Sequence, residues 1–147
     1  MTIKEQITSD LKDTMRAQDK KKLGALRLIT AAIKQIEVDE RIDVDDARVL
    51  VILDKMVKQR KESLQQFQSA GRDDLVAQEQ YELDLIQCYL PTPLTDTEIS
   101  AMVEEAFRVT QAEKLSDMGK VMAHLKPLMQ GRADMSKISA LIKERFA

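Results

Sequence analysis

Apolar residues recur at helical spacing almost from the first position of the chain. Ile3, Ile7, Leu11 and Met15 repeat every four residues, which lines one narrow face of a helix. Thr2-Ile3-Lys4-Glu5 in front of them reads as a capping box, with the threonine hydroxyl and the glutamate each serving a free backbone donor. A second helix is predicted from about Asp19 to Val38, with Leu23, Leu26, Ile29, Ala32, Ile33 and Ile36 inward. A charged loop from Asp39 to Val44 then leads to Asp45 as the next cap, with Val44 and Val49 spaced as a hydrophobic staple. The helix it opens should be the longest, carrying Leu50, Leu53, Val57, Leu64 and Phe67 inward with Arg60 interrupting the stripe, and Gly71 ending it in a left-handed cap. A fourth helix follows from about Asp73 to Tyr89, burying Leu75, Leu83, Ile86 and Leu90.

Pro91-Thr92-Pro93 is the strongest interruption in this pattern, because two prolines remove two backbone donors and bias their predecessors away from helix. Behind it Thr95-Asp96-Thr97-Glu98 forms a second capping box, stapled by Leu94 and Ile99, and the helix buries Ile99, Met102, Val103, Ala106 and Phe107. Ser116 is read as the cap of a sixth helix, with Met118, Val121, Met122 and Leu125 inward and Pro127 ending or kinking it. Gly131 turns the chain. A last helix, opened by Asp134 or Ser136, places Ile138, Leu141, Ile142 and Phe146 on one side and Lys137, Lys143 and Arg145 toward solvent. The expectation is an all-α protein: an N-terminal four-helix domain over 1–90 and a small C-terminal three-helix bundle over 94–147.

Composition strengthens the helical reading. Four glycines and three prolines in 147 residues leave little material for turns, and no Asn-Gly hairpin signal occurs. Net charge is only −2, yet its distribution is uneven. Lys12 to Lys34 holds seven basic residues against two acidic ones, a local +5. Asp73 to Phe107 holds nine acidic residues and no Lys or Arg, and from Lys114 onward seven basic residues face three acidic ones, a local +4. Lys4, Glu5 and Asp10 break up any signal-peptide core, and no apolar run approaches the roughly 20 residues that span a bilayer. With a single cysteine and no internal disulfide, a reducing compartment fits, so the cytosol is the expected location.

Several stretches together resemble a known family. Val57-Lys58-Gln59-Arg60-Lys61-Glu62-Ser63, then Ala70-Gly71-Arg72 with Asp74-Leu75, Glu79 and Glu82, then Tyr89-Leu90-Pro91, match the pattern of the YqeY-like family. So do Met118-Gly119-Lys120-Val121-Met122 and Gly131-Arg132-Ala133-Asp134, although Met135 stands where the family often has glycine. The resemblance implies an all-helical protein whose C-terminal part is similar to the tail of the B subunit of tRNA-dependent amidotransferases. That tail is taken to hold tRNA while chemistry is done elsewhere. The resemblance therefore implies tRNA or a tRNA-handling protein as partner, and an association with carbon-nitrogen ligase activity that uses glutamine as amido donor.

Read for chemistry, the residues offer no nucleophile with a base, no G-x-x-x-x-G-K-[ST] loop and no dinucleotide fingerprint. No catalytic residue, cofactor, metal or membrane is expected, and oligomeric state is left open. His124 reads as structural or surface, Cys88 as an inert, partly buried thiol, and the acids from Glu37 to Asp46 as a solvated, helix-capping loop rather than a calcium site. Arg60 is expected to pair with Glu79 or Glu82 across a helix interface. Gly119 inside a helix calls for close packing or a close-approaching ligand. Lys120, Lys126, Arg132, Lys137 and Lys143, together with Gly119 and Gly131, are the candidate nucleic-acid-binding residues, because cations and backbone donors suit phosphates. Too few aromatic rings exist for a single-strand stacking platform, so structured RNA is the expected target. Set against this are a pure interaction adaptor, favoured by the near-neutral charge and the acidic belt, and a helix-turn-helix with Lys137, Lys143 and Arg145 on its last helix.

Overall fold

In the computed structural model, which describes residues 1–146, helices α1 (Ile3–Arg16), α2 (Lys20–Glu40), α3 (Asp46–Ser69) and α4 (Asp73–Gln87) precede the proline linker. Helices α5 (Asp96–Thr110), α6 (Met118–Met129) and α7 (Met135–Arg145) follow it, with one 3₁₀ turn at Leu115–Asp117, and no strand occurs among the described residues. The chain is all-α, as its periodicity predicts. It divides after Leu90 into two compact units, each with its own buried cluster.

In the first unit both expected caps are present: Thr2 and Glu5 close a capping box, and the Asp45 side chain accepts from the Arg48 amide. Ile7, Leu26, Ile29, Val49, Leu53 and Ile86 are almost fully buried at its centre, with Val44 and Val49 both inside. The α1 stripe differs from expectation at its end. A spacing of four advances roughly 40° around a 3.6-residue helix, so by Met15 the stripe has rotated to the surface. Met15 is 45% exposed, while Thr14 takes the buried place and satisfies its hydroxyl on the Asp10 carbonyl at 2.7 Å. Across the unit, the Tyr89 hydroxyl donates to Asp10 at 2.6 Å. Burial and that carboxylate hold the phenol well above its usual range.

Helices α3 and α4 pack on each other after a turn at Gly71, whose φ of 68° is the left-handed cap expected there. Arg60 lies between Glu79 and Glu82, its Nε 3.5 Å and 2.9 Å from their oxygens, without hydrogen-bond alignment. Burial raises the Glu79 carboxyl, with neighbouring Glu82 adding to the rise and Arg60 opposing it. Expectations for this helix pair hold only in part. Leu50, Phe67 and Leu75 are only half-buried, Leu90 is half-buried against the core, and Cys88 is exposed rather than partly buried, its Sγ 3.3 Å from the Asp84 carbonyl.

In the second unit Val121, Leu125, Met129, Ile138 and Ile142 form the core with Val103 and Ala106 of α5. The capping box at Thr95 and Glu98 is present. Ser116 does not cap α6. It lies inside the 3₁₀ turn; Asp117 stands before α6 without capping it by its side chain, and its Oδ2 instead closes the 3₁₀ turn by accepting from the Glu113 amide at 3.0 Å and the Lys114 amide at 3.3 Å. Pro127 sits within α6, two residues before its end. Asp134, not Ser136, caps α7. Leu141 is 48% exposed, since Ile138 and Ile142 already define the buried edge of that short helix.

Candidate nucleic-acid interface

The seven candidate residues lie on α6, α7 and the turn between them, and the fold separates them into two groups. Lys126 is in the last turn of α6, Gly131 and Arg132 form the turn, and Lys137 is in the first turn of α7, so these four share one end of the helix pair. Gly119 and Lys120 lie at the start of α6 and Lys143 in the last turn of α7. Six residues of helix, roughly 9 Å of rise, separate Lys120 from Lys126 and Lys137 from Lys143. Within each helix the two lysines also fall on opposite sides of the buried stripe.

Gly131 is buried at φ 78°, a conformation that costs an L side chain about 1–2 kcal/mol. It permits the Arg132 and Ala133 amides to return to the Met129 carbonyl at 2.8 and 3.1 Å. Arg132 is partly engaged by the fold itself. Its carbonyl accepts from the Leu94 amide at 2.8 Å and its Nε donates to the Thr92 carbonyl at 3.2 Å, fastening the linker to the turn. Neither hydrogen bond was legible, because both partners are backbone atoms some 40 residues away.

Gly119 departs furthest from expectation. It is the second residue of α6, exposed, with nothing within 4 Å of where a Cβ would stand. Close packing therefore does not account for it, and in a first turn its helix penalty is small. Nearby Lys120 approaches Asp117 at 3.8 Å. Backbone donors from Glu113 and Lys114 hold the Asp117 carboxyl below its ordinary range, with Lys120 contributing further down the order.

Two arginines of the unit are paired within it. Arg145 clamps Glu104 with both terminal nitrogens and lies 4.6 Å over the Phe107 ring, and Arg108 pairs with Glu105. These partners hold the carboxyls of Glu104 and Glu105 low. Arg145, expected toward solvent, is thus the tie between α7 and α5, and only its position in the last turn hinted at it. Phe107 and Phe146 pack against each other at a tilt of 45°, with centroids 5.1 Å apart. Among the described residues Lys126, Lys137 and Lys143 make no ion pair. The Asp134 carboxylate accepts from the Ser136 amide at 2.9 Å, so the start of α7 already holds an anion, and any phosphate here would be held by side-chain cations. His124 is half-buried, with Glu105 within its electrostatic reach.

Among the described residues no group of His, Cys, Asp and Glu could hold a metal ion, and no helix is long and apolar enough to cross a membrane. Comparison with known proteins matches residues 4–146 to the sequence pattern of a family described as Yqey-like protein. The chain is 32% identical over 142 residues to a protein of Pyrenophora tritici-repentis named altered inheritance of mitochondria protein 41, mitochondrial, covering 94% of this chain and 77% of that one. Proteins of the same name from Eremothecium gossypii and Saccharomyces cerevisiae are 40% and 38% identical, over 69% and 57% of this chain. The chain spans 56% and 46% of the length of those two. All three relatives are named as mitochondrial, which overturns the cytosolic expectation.

Proposed function

The chain belongs to the Yqey-like protein family, and on that footing we propose that it acts by binding, as a four-helix domain followed by a three-helix domain that holds the phosphate backbone of structured RNA. The carrying observation is the end of the α6–α7 pair. Lys126 and Lys137 are exposed there without a carboxylate partner among the described residues, and Arg132 stands between them at the buried Gly131 turn. Glu104 and Glu105, the acids of the last half of α5 that would repel a phosphate, are instead drawn to Arg145 and Arg108. The similarity of this part to the tail of the tRNA-dependent amidotransferase B subunit makes tRNA the RNA of choice. An accessory place in a glutamine-dependent carbon-nitrogen ligase would use the same surface. With Phe107 and Phe146 packed against each other, recognition rests on shape and backbone rather than on base stacking.

A second reading, a protein adaptor that touches no RNA, is favoured by one observation: from Pro91 onward eight basic residues meet eight acidic ones. Crosslinking in whole cells, organelles included, with sequencing of recovered RNA and identification of recovered proteins separates the two. The RNA reading expects an enriched tRNA set that disappears when Lys126 and Lys137 are replaced by Glu. Recovery of protein alone, or RNA recovery indifferent to those substitutions, supports the adaptor.

A further inference from the structure

Helix α2 carries a second periodic pattern on the side away from its core. Gly24, Leu28, Ala31, Gln35 and Val38 are all exposed, at spacings of four and three, with Leu28 at 44% and Val38 at 63%. That is the spacing of a two-helix seam, about 21 Å long from Gly24 to Val38 at 1.5 Å per residue. Beside it Lys20, Arg27 and Lys34 repeat every seven residues, all exposed, on one edge of the seam. None of the three makes an ion pair among the described residues. On the other edge Lys21 is occupied 4.3 Å over the Tyr81 ring, and Asp39 accepts from Gln35 at 2.9 Å. Gly24 adds an independent sign. A glycine weakens a helix interior, yet nothing lies within 4 Å of where its Cβ would stand, so the fold itself has no use for the missing side chain.

We propose that this face of α2 docks an amphipathic helix of a partner protein, with small and apolar residues on its stripe and carboxylates at the flanking heptad positions. Its backbone approaches closely over Gly24 and Ala31, its apolar residues cover Leu28 and Val38, and its acids meet Lys20, Arg27 and Lys34. Two copies of this chain paired antiparallel through the same face would set cation against cation, which disfavours self-association. An RNA strand would answer the cations and leave Leu28 and Val38 uncovered. The proposal concerns a different unit from the RNA-binding surface and stands independently of it.

The test uses the full chain and two monomeric, stapled helical peptides of the same Leu/Ala heptads, one flanked by Glu and one by Lys. Fluorescence anisotropy should show the Glu-flanked peptide binding at least about 10-fold tighter than its Lys twin. Arg27→Glu with Lys34→Glu should reverse that preference. Gly24→Ala should raise the melting temperature of the free chain and still weaken peptide binding, which a merely structural glycine would not do. Equal affinities for both peptides, no binding of the Glu-flanked peptide, or displacement of the peptide by tRNA would overturn the proposal. Unchanged peptide affinity in folded Gly24→Ala would do the same for the close approach.

Discussion

Arg60 occupies a place on α3 where Met56 and Leu64, one turn either side, are buried, and its guanidinium lies against two carboxylates. Removing it leaves Glu79 and Glu82 facing each other, so Arg60→Ala should destabilise the fold by roughly 3 kcal/mol at neutral pH in urea denaturation. The deficit should shrink on acidification. Burial already raises the Glu79 carboxyl above the ordinary glutamate range, and removing the cation raises it further. A carboxyl whose folded pKa lies above its unfolded value favours the fold most below the unfolded pKa, and that contribution disappears as pH rises through the folded pKa. A deficit equal at pH 7 and at the carboxylate range would show that packing, not charge, is what Arg60 supplies. Two glycines make a similar contrast. Gly131→Ala should cost about 1–2 kcal/mol because of its left-handed φ, whereas exposed Gly119→Ala should change stability by less than about 0.5 kcal/mol. Equal effects in thermal melts would contradict the assignment of Gly131 to the turn and of Gly119 to open surface.

At the scale of the elements, helix starts were legible and helix ends were not. Thr2, Asp19, Asp45 and Thr95 each accept from the amide three residues on, because a capping side chain announces itself locally in sequence. Most ends here use a left-handed residue, and only Gly71 and Gly131 advertised one. Gln18, Arg41 and Gln111 adopt φ of 57°, 54° and 54° without being glycine, so the extension of α2 to Glu40 left no trace in the pattern. Gln111→Gly should therefore stabilise the protein by roughly 0.5–1 kcal/mol by relieving that conformation. A destabilised variant in calorimetry would mean that the Gln111 side chain contributes more than its backbone costs. The start of α6 was misplaced for a related reason: a 3₁₀ turn closed by the Asp117 carboxylate on the Glu113 and Lys114 amides precedes it, and α6 itself begins without a side-chain cap, which helical spacing does not reveal.

For the whole molecule, Pro91 and Pro93 mark an interruption that prolines announce locally, and the residues of the two buried clusters fall before and after it in the chain. Brief digestion with a broad-specificity protease should cut first between Tyr89 and Thr95, and first cleavage around Arg60 would contradict separable units. The candidate interface was legible as a set of residue types and not as an arrangement. Sequence put Lys120, Arg132 and Lys143 together with Lys126 and Lys137, whereas the fold sets Lys120 and Lys143 about two helical turns away and engages Arg132 with the Thr92 carbonyl. Whether exposed cations at the α6–α7 turn hold RNA phosphates is read from the affinity of the purified chain for tRNA across a salt series. Phosphate contacts there give a logarithmic salt dependence that flattens by roughly one unit for each phosphate no longer neutralised when Lys126 and Lys137 are replaced by Ala, with circular dichroism unchanged. A parent chain without affinity at low salt, or a folded variant with the parent's slope, would contradict phosphate binding there.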